Sequence, residues 1–345
     1  MSIWGKHEST AEAIAQVLCK EHLTTNEAQR ATELTMDLIR QAEVDLRQAL
    51  AERLALETKV PVEIIIFLAN DEIAVAESVL CKSPVLSEHD LSYIIAGKDG
   101  PYWRAIARRT SISTAIADKL VNTGDTSTMR SLLDNKDVVL SKGSMKKIIG
   151  ASVVDESLQA PIMQRPEMDA TLATTLYTCV GHALKSEIAR RFPLEAEAIE
   201  EALEDLVAEF SRSAAGLHEP TPEMAALSSR FHERNGITAD LMIRTLRRGQ
   251  VGFFVSLFSA RTGLKAQDAL RLMRKDSGHA FALACRAIGI SKAEFASLFM
   301  LAGDVRGQRV TSPEILAKTL TYYEALREFD VQRVMTSWIR NPSLI

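Results

Sequence analysis

One segment occurs three times in the second half of the chain. Phe231-His-Glu-Arg-Asn-Gly236-Ile237 returns 27 residues later as Phe258-Ser-Ala-Arg-Thr-Gly263-Leu264, and 26 further on as Ala284-Cys-Arg-Ala-Ile-Gly289-Ile290. An amphipathic stretch follows each glycine: Ala239 to Leu246, Ala266 to Met273 and Ala293 to Phe299. Glycine accepts the left-handed backbone that often ends a helix, and an aliphatic residue after it closes over the helix end. Each unit therefore reads as two helices of about ten residues, too short to be stable alone. Such pairs bury their apolar faces only by stacking on one another.

The first half repeats more loosely. With Arg53, Lys82, Arg109, Asn135 and Arg165 as markers, the steps are 29, 27, 26 and 30. After each marker come a turn and a short amphipathic helix, starting near Val62, Ser87, Ser113, Ser141 and Asp169. Serine and aspartate suit these starts because a side-chain oxygen can accept an orphan N–H of the first turn. Ser87 to Asp90 has the form of a capping box, with Asp in place of the usual Glu.

The chain is thus expected to be all-α: an α-solenoid of short helical pairs, period about 27, with capping helices at both ends. Residues 1–57 read as an N-terminal cap, with two longer helices from Ala11 to Glu57, and 58–192 as a first repeat block. Residues 193–222 form an acidic helix, Pro193 to Ser213, and a linker at Gly216 to Pro222. The second repeat block covers 223–305. Residues 306–345 hold one long helix from Pro313 to Ile339, with a stripe of Ile315, Leu316, Leu320, Tyr323, Leu326, Val331, Val334, Met335 and Trp338. That stripe can cover the open end of the array or serve as the seam of a homodimer.

Composition narrows the function classes. A net charge of -4 over 345 residues argues against a general nucleic-acid coat, which needs basic excess. Cys19, Cys81, Cys179 and Cys285 are scattered, as expected of reduced buried thiols. No apolar leader opens the chain, and the run Val60 to Ala69 is too short to span a bilayer, so a cytoplasmic protein is expected. The sequence contains no GxxxxGK[ST], GxGxxG or GxSxG motif. Its histidines never pair at i+3 or i+4, and His232-Glu233 meets Gly236 where a zincin motif needs its second histidine. No metal site, cofactor or catalytic residue is assigned.

Three stretches resemble a widespread alphaproteobacterial family: Phe67-Leu-Ala-Asn-Asp-Glu-Ile-Ala-Val-Ala-Glu-Ser-Val-Leu80, Ser83-Pro-Val-Leu-Ser-Glu-His-Asp-Leu91 and Ile106-Ala-Arg-Arg-Thr-Ser-Ile-Ser113. Phe253-Phe-Val-Ser-Leu-Phe-Ser-Ala-Arg-Thr-Gly-Leu264 is similar to that family's C-terminal hallmark. The family is known only as a domain of unknown function with HEAT-like helical repeats. The likeness runs from about residue 40 to 305 and implies a fold, not an activity. The proline common in this family's repeats, Pro84 here, has no counterpart near Lys136.

Three charged features are candidate binding sites. Arg244, Arg247 and Arg248 close one helix, and Arg271, Arg274 and Lys275 close its equivalent 27 residues later. In a regular solenoid these helices lie side by side, about 10 Å apart, and the six cations would form one patch for a partner or an anion. Cations at helix C-termini also complement the macrodipole without any ligand. Glu197, Glu201, Asp205 and Glu209 fall at successive i+4 positions, an acidic ridge whose mutual repulsion calls for a compensating cation. Arg53, Lys82, Arg109 and Arg165 form a basic ladder along the first block, with Arg104 and Arg108 nearby, suited to a groove for an acidic ligand or to capping the preceding helix end.

The expected function is a non-enzymatic scaffold or adaptor binding a protein or peptide partner on the helical-repeat surface, in signalling or regulation. The alternative is a binder of an anionic small molecule, such as a nucleotide second messenger, or of nucleic acid, through the basic cluster of the second block.

Overall fold

The structure, a computed structural model, describes residues 3–19, 25–212, 218–275, 277–303, 305 and 313–344. Residues 20–24 of the expected cap, 213–217 of the expected acidic helix and linker, and 306–312 and 345 of the C-terminal segment lie outside the described residues. The described residues are helical, with no strand. They divide into two units, 1–151 with 157–169 and 152–156 with 170–345. The division falls ahead of residue 170, so the last 23 residues of the first block expected from sequence, together with 152–156, belong to the second unit.

The first unit holds α1 (Ile3–Leu18), α2 (Thr25–Gln41), α3 (Val44–Leu54), α4 (Val62–Ala69), α5 (Ile73–Lys82), α6 (Glu88–Gly97), α7 (Gly100–Ala107), α8 (Thr114–Asn122), α9 (Thr126–Asp134), α10 (Lys142–Ala151) and α11 (Gln159–Met163). The N-terminal cap is three helices, not the expected two: the chain breaks at residues 42–43, where Glu43 is extended. Packing is periodic. The odd-numbered helices α1 to α11 each rest on the next odd one, and α2 rests on α4, α6 on α8 and α8 on α10. The short helices bury the same stripe, i, i+1, i+4, i+5: Ile64, Ile65, Leu68 and Ala69 in α4, and Ile116, Ala117, Leu120 and Val121 in α8. Each large side chain so buried contributes about 1.5–3 kcal/mol, which is what holds two-turn helices folded.

The caps stand where the sequence places them. Ser87 accepts from the Asp90 backbone N–H, and the Asp90 carboxylate accepts from the Ser87 N–H at 2.9 Å. Ser113 caps α8, and Ser141 accepts from the Ser144 N–H at 3.0 Å. Helix C-termini leave carbonyls without intrahelical donors. In this unit a side chain one repeat later supplies the donors. Arg109 donates to Leu80 O and Ser83 O, both at 2.7 Å. Asn135 donates to Ala107 O and Arg109 O at 2.8 and 2.6 Å. Arg165 donates to Asn135 O at 2.7 Å and to Val138 O. Three of the five marker residues are thus links of one hydrogen-bonded ladder.

The second unit holds α12 (Ala170–Cys179), α13 (His182–Arg191), α14 (Ala196–Arg212), α15 (Pro222–Glu233), α16 (Ala239–Arg247), α17 (Val251–Thr262), α18 (Ala266–Arg274), α19 (His279–Ala287), α20 (Lys292–Leu301), α21 (Pro313–Ala325) and α22 (Glu328–Arg340). Its centre is α17, buried continuously from Val251 to Phe258, against which α15, α16 and α18 pack. Rings of Phe254, Phe258, Phe281, Phe295 and Phe299 run in contact from α17 through α19 to α20. The three repeats do not stack in a line, because α16 packs on α20 and skips α18. Arg261 fixes that closure: it donates to Ile237 O and, at 2.9 Å, to Ile288 O, joining the turns of the first and third repeats.

Two further expectations change. Gly263 and Gly289 are left-handed (φ 76° in each), but in the first repeat that role falls to Asn235 at φ 51°. The long helix expected from 313 to 339 is two, α21 and α22, parted at Arg327, where the backbone is extended. Both pack on α19. Val331, Met335 and Trp338 are buried within this unit, so most of the stripe on α22 is spent as a cover.

Candidate anion-binding site

A cavity of about 320 Å³ opens in the second unit between α12, α13, α14, α15 and α16. Four cations line it, Lys185, Arg230, Arg234 and Arg244, against one carboxylate, Glu200. The order of the helices puts them there. Lys185 comes from the middle of α13, Arg230 from the last turn of α15 and Arg234 from its C-cap, and Arg244 from the last turn of α16. Cations in last turns suit the helix dipole, so the convergence of these C-termini concentrates positive charge.

Local structure holds each guanidinium in place without satisfying it. Arg230 donates through Nη2 to Val153 O at 2.8 Å and to Glu156 at 2.9 Å, while its Nη1 is buried with no partner among the described residues. Arg234 donates to Val180 O at 2.8 Å. Arg244 pairs with Glu200 at 2.8 Å and Asp240 at 3.0 Å, and its Nε is buried without a partner among the described residues. Lys185 lies over the Tyr177 ring, 4.5 Å from its centre. Among the described residues no carboxylate is within ion-pair distance of Lys185 or Arg234. Burial, and then the neighbouring Arg234 charge, hold the Lys185 ammonium below its ordinary pKa. Unpaired like charges at a partly buried site are costly, and a bound anion removes the cost.

The residues singled out in the sequence fall into three groups. Arg244 and Arg248 pair with Glu200 and Glu204, so part of the basic cluster compensates the acidic helix. The carboxylates concerned flank the ridge. Within it, Glu197 and Glu201 face solvent, Asp205 is exposed, and Glu209 pairs with Arg212. Arg247, Arg274 and Lys275 are exposed, and Arg271 donates to Pro342 O at 3.2 Å. The six cations do not gather as a linear array would have them: α16 packs mainly on α17 and α20 and α18 mainly on α17 and α19, while Arg244 and Arg248 turn to carboxylates of α14. In the first unit, Arg104 lies 3.8 Å from Asp125 and Arg108 2.7 Å from Glu77. Arg109 is buried at 6% exposure and spent on carbonyls, which corrects its reading as a ligand-facing residue.

Sequence reasoning missed Lys185, Arg230 and Arg234. No repeat relates them: Arg230 and Arg234 close α15 of the first C-terminal repeat, while Lys185 comes from α13, which precedes those repeats. Their one visible trait is that Arg230 and Arg234 are i and i+4 around Phe231 and close the first repeat's opening helix. Among the described residues no three His, Cys, Asp or Glu side chains gather as a metal site would require. Burial raises the Cys179 thiol to about 11 and pushes Cys285 up as well, the state of inert core thiols.

Fold and site together define an all-helical protein of periodically packed short helices with a cationic cavity. The chain belongs to the bacterial family described as "uncharacterised protein conserved in bacteria" (DUF2336), whose model matches residues 75–336. No curated protein and no solved structure matches the chain.

Proposed function

We propose that the protein is a non-enzymatic binding protein whose ligand is a small anion held in the cavity of the second unit. One observation carries the reading: four cations line the cavity, and among the described residues two of them, Lys185 and Arg234, have no carboxylate partner, while Arg230 Nη1 and Arg244 Nε are buried and unpartnered. This differs from the adaptor reading in where the ligand sits: Arg248 pairs with Glu204, and Arg244 lines the cavity beside Glu200 instead of joining an open patch with Arg271, Arg274 and Lys275. The exposed carboxylates of Glu197 and Glu201, on the helix that walls the cavity, are where a downstream protein would read occupancy. We place the protein in the cytoplasm; among the described residues no helix is long and apolar enough to cross a membrane. The first unit we read as a short HEAT-like solenoid. Its inter-repeat hydrogen bonds at separations of 26 to 29 residues support a period near 27.

Isothermal titration with inorganic phosphate tests the anion reading. Binding that weakens with added salt, and falls about tenfold in Lys185→Met, is expected. Heat-silent titration with unchanged melting temperature at millimolar phosphate would refute it.

A further inference from the structure

The cavity is too large and too apolar for a bare oxyanion. About 320 Å³ is on the order of ten water volumes, whereas phosphate has five heavy atoms. Ile199 and Leu203 of α14, Phe231 of α15 and Leu241 of α16 line the wall and remain half-buried, apolar surface the fold leaves uncovered. Gly236 closes against Phe231. A Cβ there would lie 3.2 Å from the Phe231 ring and 3.3 Å from its carbonyl oxygen. Because Asn235 carries the left-handed turn, the glycine serves space beside that ring rather than backbone freedom. Ligand pockets typically combine a mainly apolar lining with a few convergent polar groups, and this cavity has both in separate sets.

We infer that the ligand is an amphiphilic organic anion, a single phosphate or carboxylate head on a compact apolar body. The head sits among Lys185, Arg230 and Arg234, and the body lies against Phe231, Leu203 and Leu241. Entry of the head also competes with Glu200 for Arg244, so the pair at 2.8 Å is the contact that loosens on binding. The inference rests on the anion reading above and adds the chemical class of the ligand.

Calorimetric titration of the full chain with inorganic phosphate, phenyl phosphate, benzoate and benzyl alcohol tests it. Phenyl phosphate or benzoate is expected to bind at least tenfold tighter than inorganic phosphate, with benzyl alcohol silent; which of the two binds tighter identifies the head. Phe231→Ala should erase that advantage and leave phosphate binding within about twofold, and Lys185→Met should weaken all the anions. Leu241→Ala is the second wall variant should Phe231→Ala melt early. Equal affinity for phosphate and phenyl phosphate would overturn the inference and leave the anion reading standing. Binding of benzyl alcohol as tight as that of the anions, or no binding by any probe, would overturn both.

Discussion

Arg165 shows how one side chain can carry a turn. Only 3% exposed, its guanidinium caps backbone carbonyls of the preceding repeat and pairs with Glu167 at 2.7 Å. Arg165→Met leaves those carbonyls and a partly buried carboxylate unpaired, and chemical denaturation should show a loss of about 3–5 kcal/mol. Burial alone would raise the Glu167 carboxyl, but hydrogen bonds from Arg165 and the Leu140 N–H outweigh it and hold it below the usual range. A carboxyl depressed in the folded state stabilises the fold above its unfolded pKa, and that contribution is lost as pH falls through the folded value. Glu167→Gln should therefore flatten the acid limb of a stability-against-pH curve, and an unchanged limb would contradict the assignment. Lys185 has the opposite character. Its pKa is lowered on folding, so it costs stability while charged, and raising the pH through its folded and then its unfolded pKa recovers that cost. Lys185→Met should accordingly match or exceed the wild-type melting temperature at pH 7 while losing anion affinity, a separation that a purely structural lysine would not show.

At the level of helices, most starts were legible and some ends were not. Ser87 and Ser113 announce their helices because the capping interaction is local, spanning three residues. The break at Arg327 was hidden because apolar residues continue on both sides. Only the stride of five from Leu326 to Val331 departs from helical rhythm. The closure of the three C-terminal repeats was likewise unreadable from their similarity, which specifies hairpins and not how they stack. Its signal was Val251 to Phe258, eight residues with no charged member, where a surface helix would show a polar face. Gly278 tests this packing. It sits at φ 65°, and an added Cβ would lie 2.2 Å from the Phe299 ring, between α19 and the ring chain. Gly278→Ala should destabilise the second unit by roughly 2–5 kcal/mol, from the left-handed backbone and from overpacking together. A melting curve within a degree of wild type would contradict the described core.

Across the whole molecule, the two units use one kind of building block in two ways. In the first, next-but-one packing and the ladder through Arg109, Asn135 and Arg165 repeat at a spacing the sequence displays. In the second, similar hairpins wrap α17, and helices from outside the repeats help to enclose the cavity. That difference explains why the fold class could be read from sequence while the site could not: periodicity reports the ladder, but Lys185 joins Arg230 and Arg234 only where α13 and α15 wall one cavity, which no repeat displays. The central claim, that this meeting place holds an anion, is tested most directly by an anomalous diffraction map from crystals of the full chain soaked in selenate. A peak within hydrogen-bonding distance of Lys185 Nζ, Arg230 Nη1 and Arg234 is the expected result. An empty cavity, with selenate bound instead at the exposed Arg247 and Arg274, would contradict it.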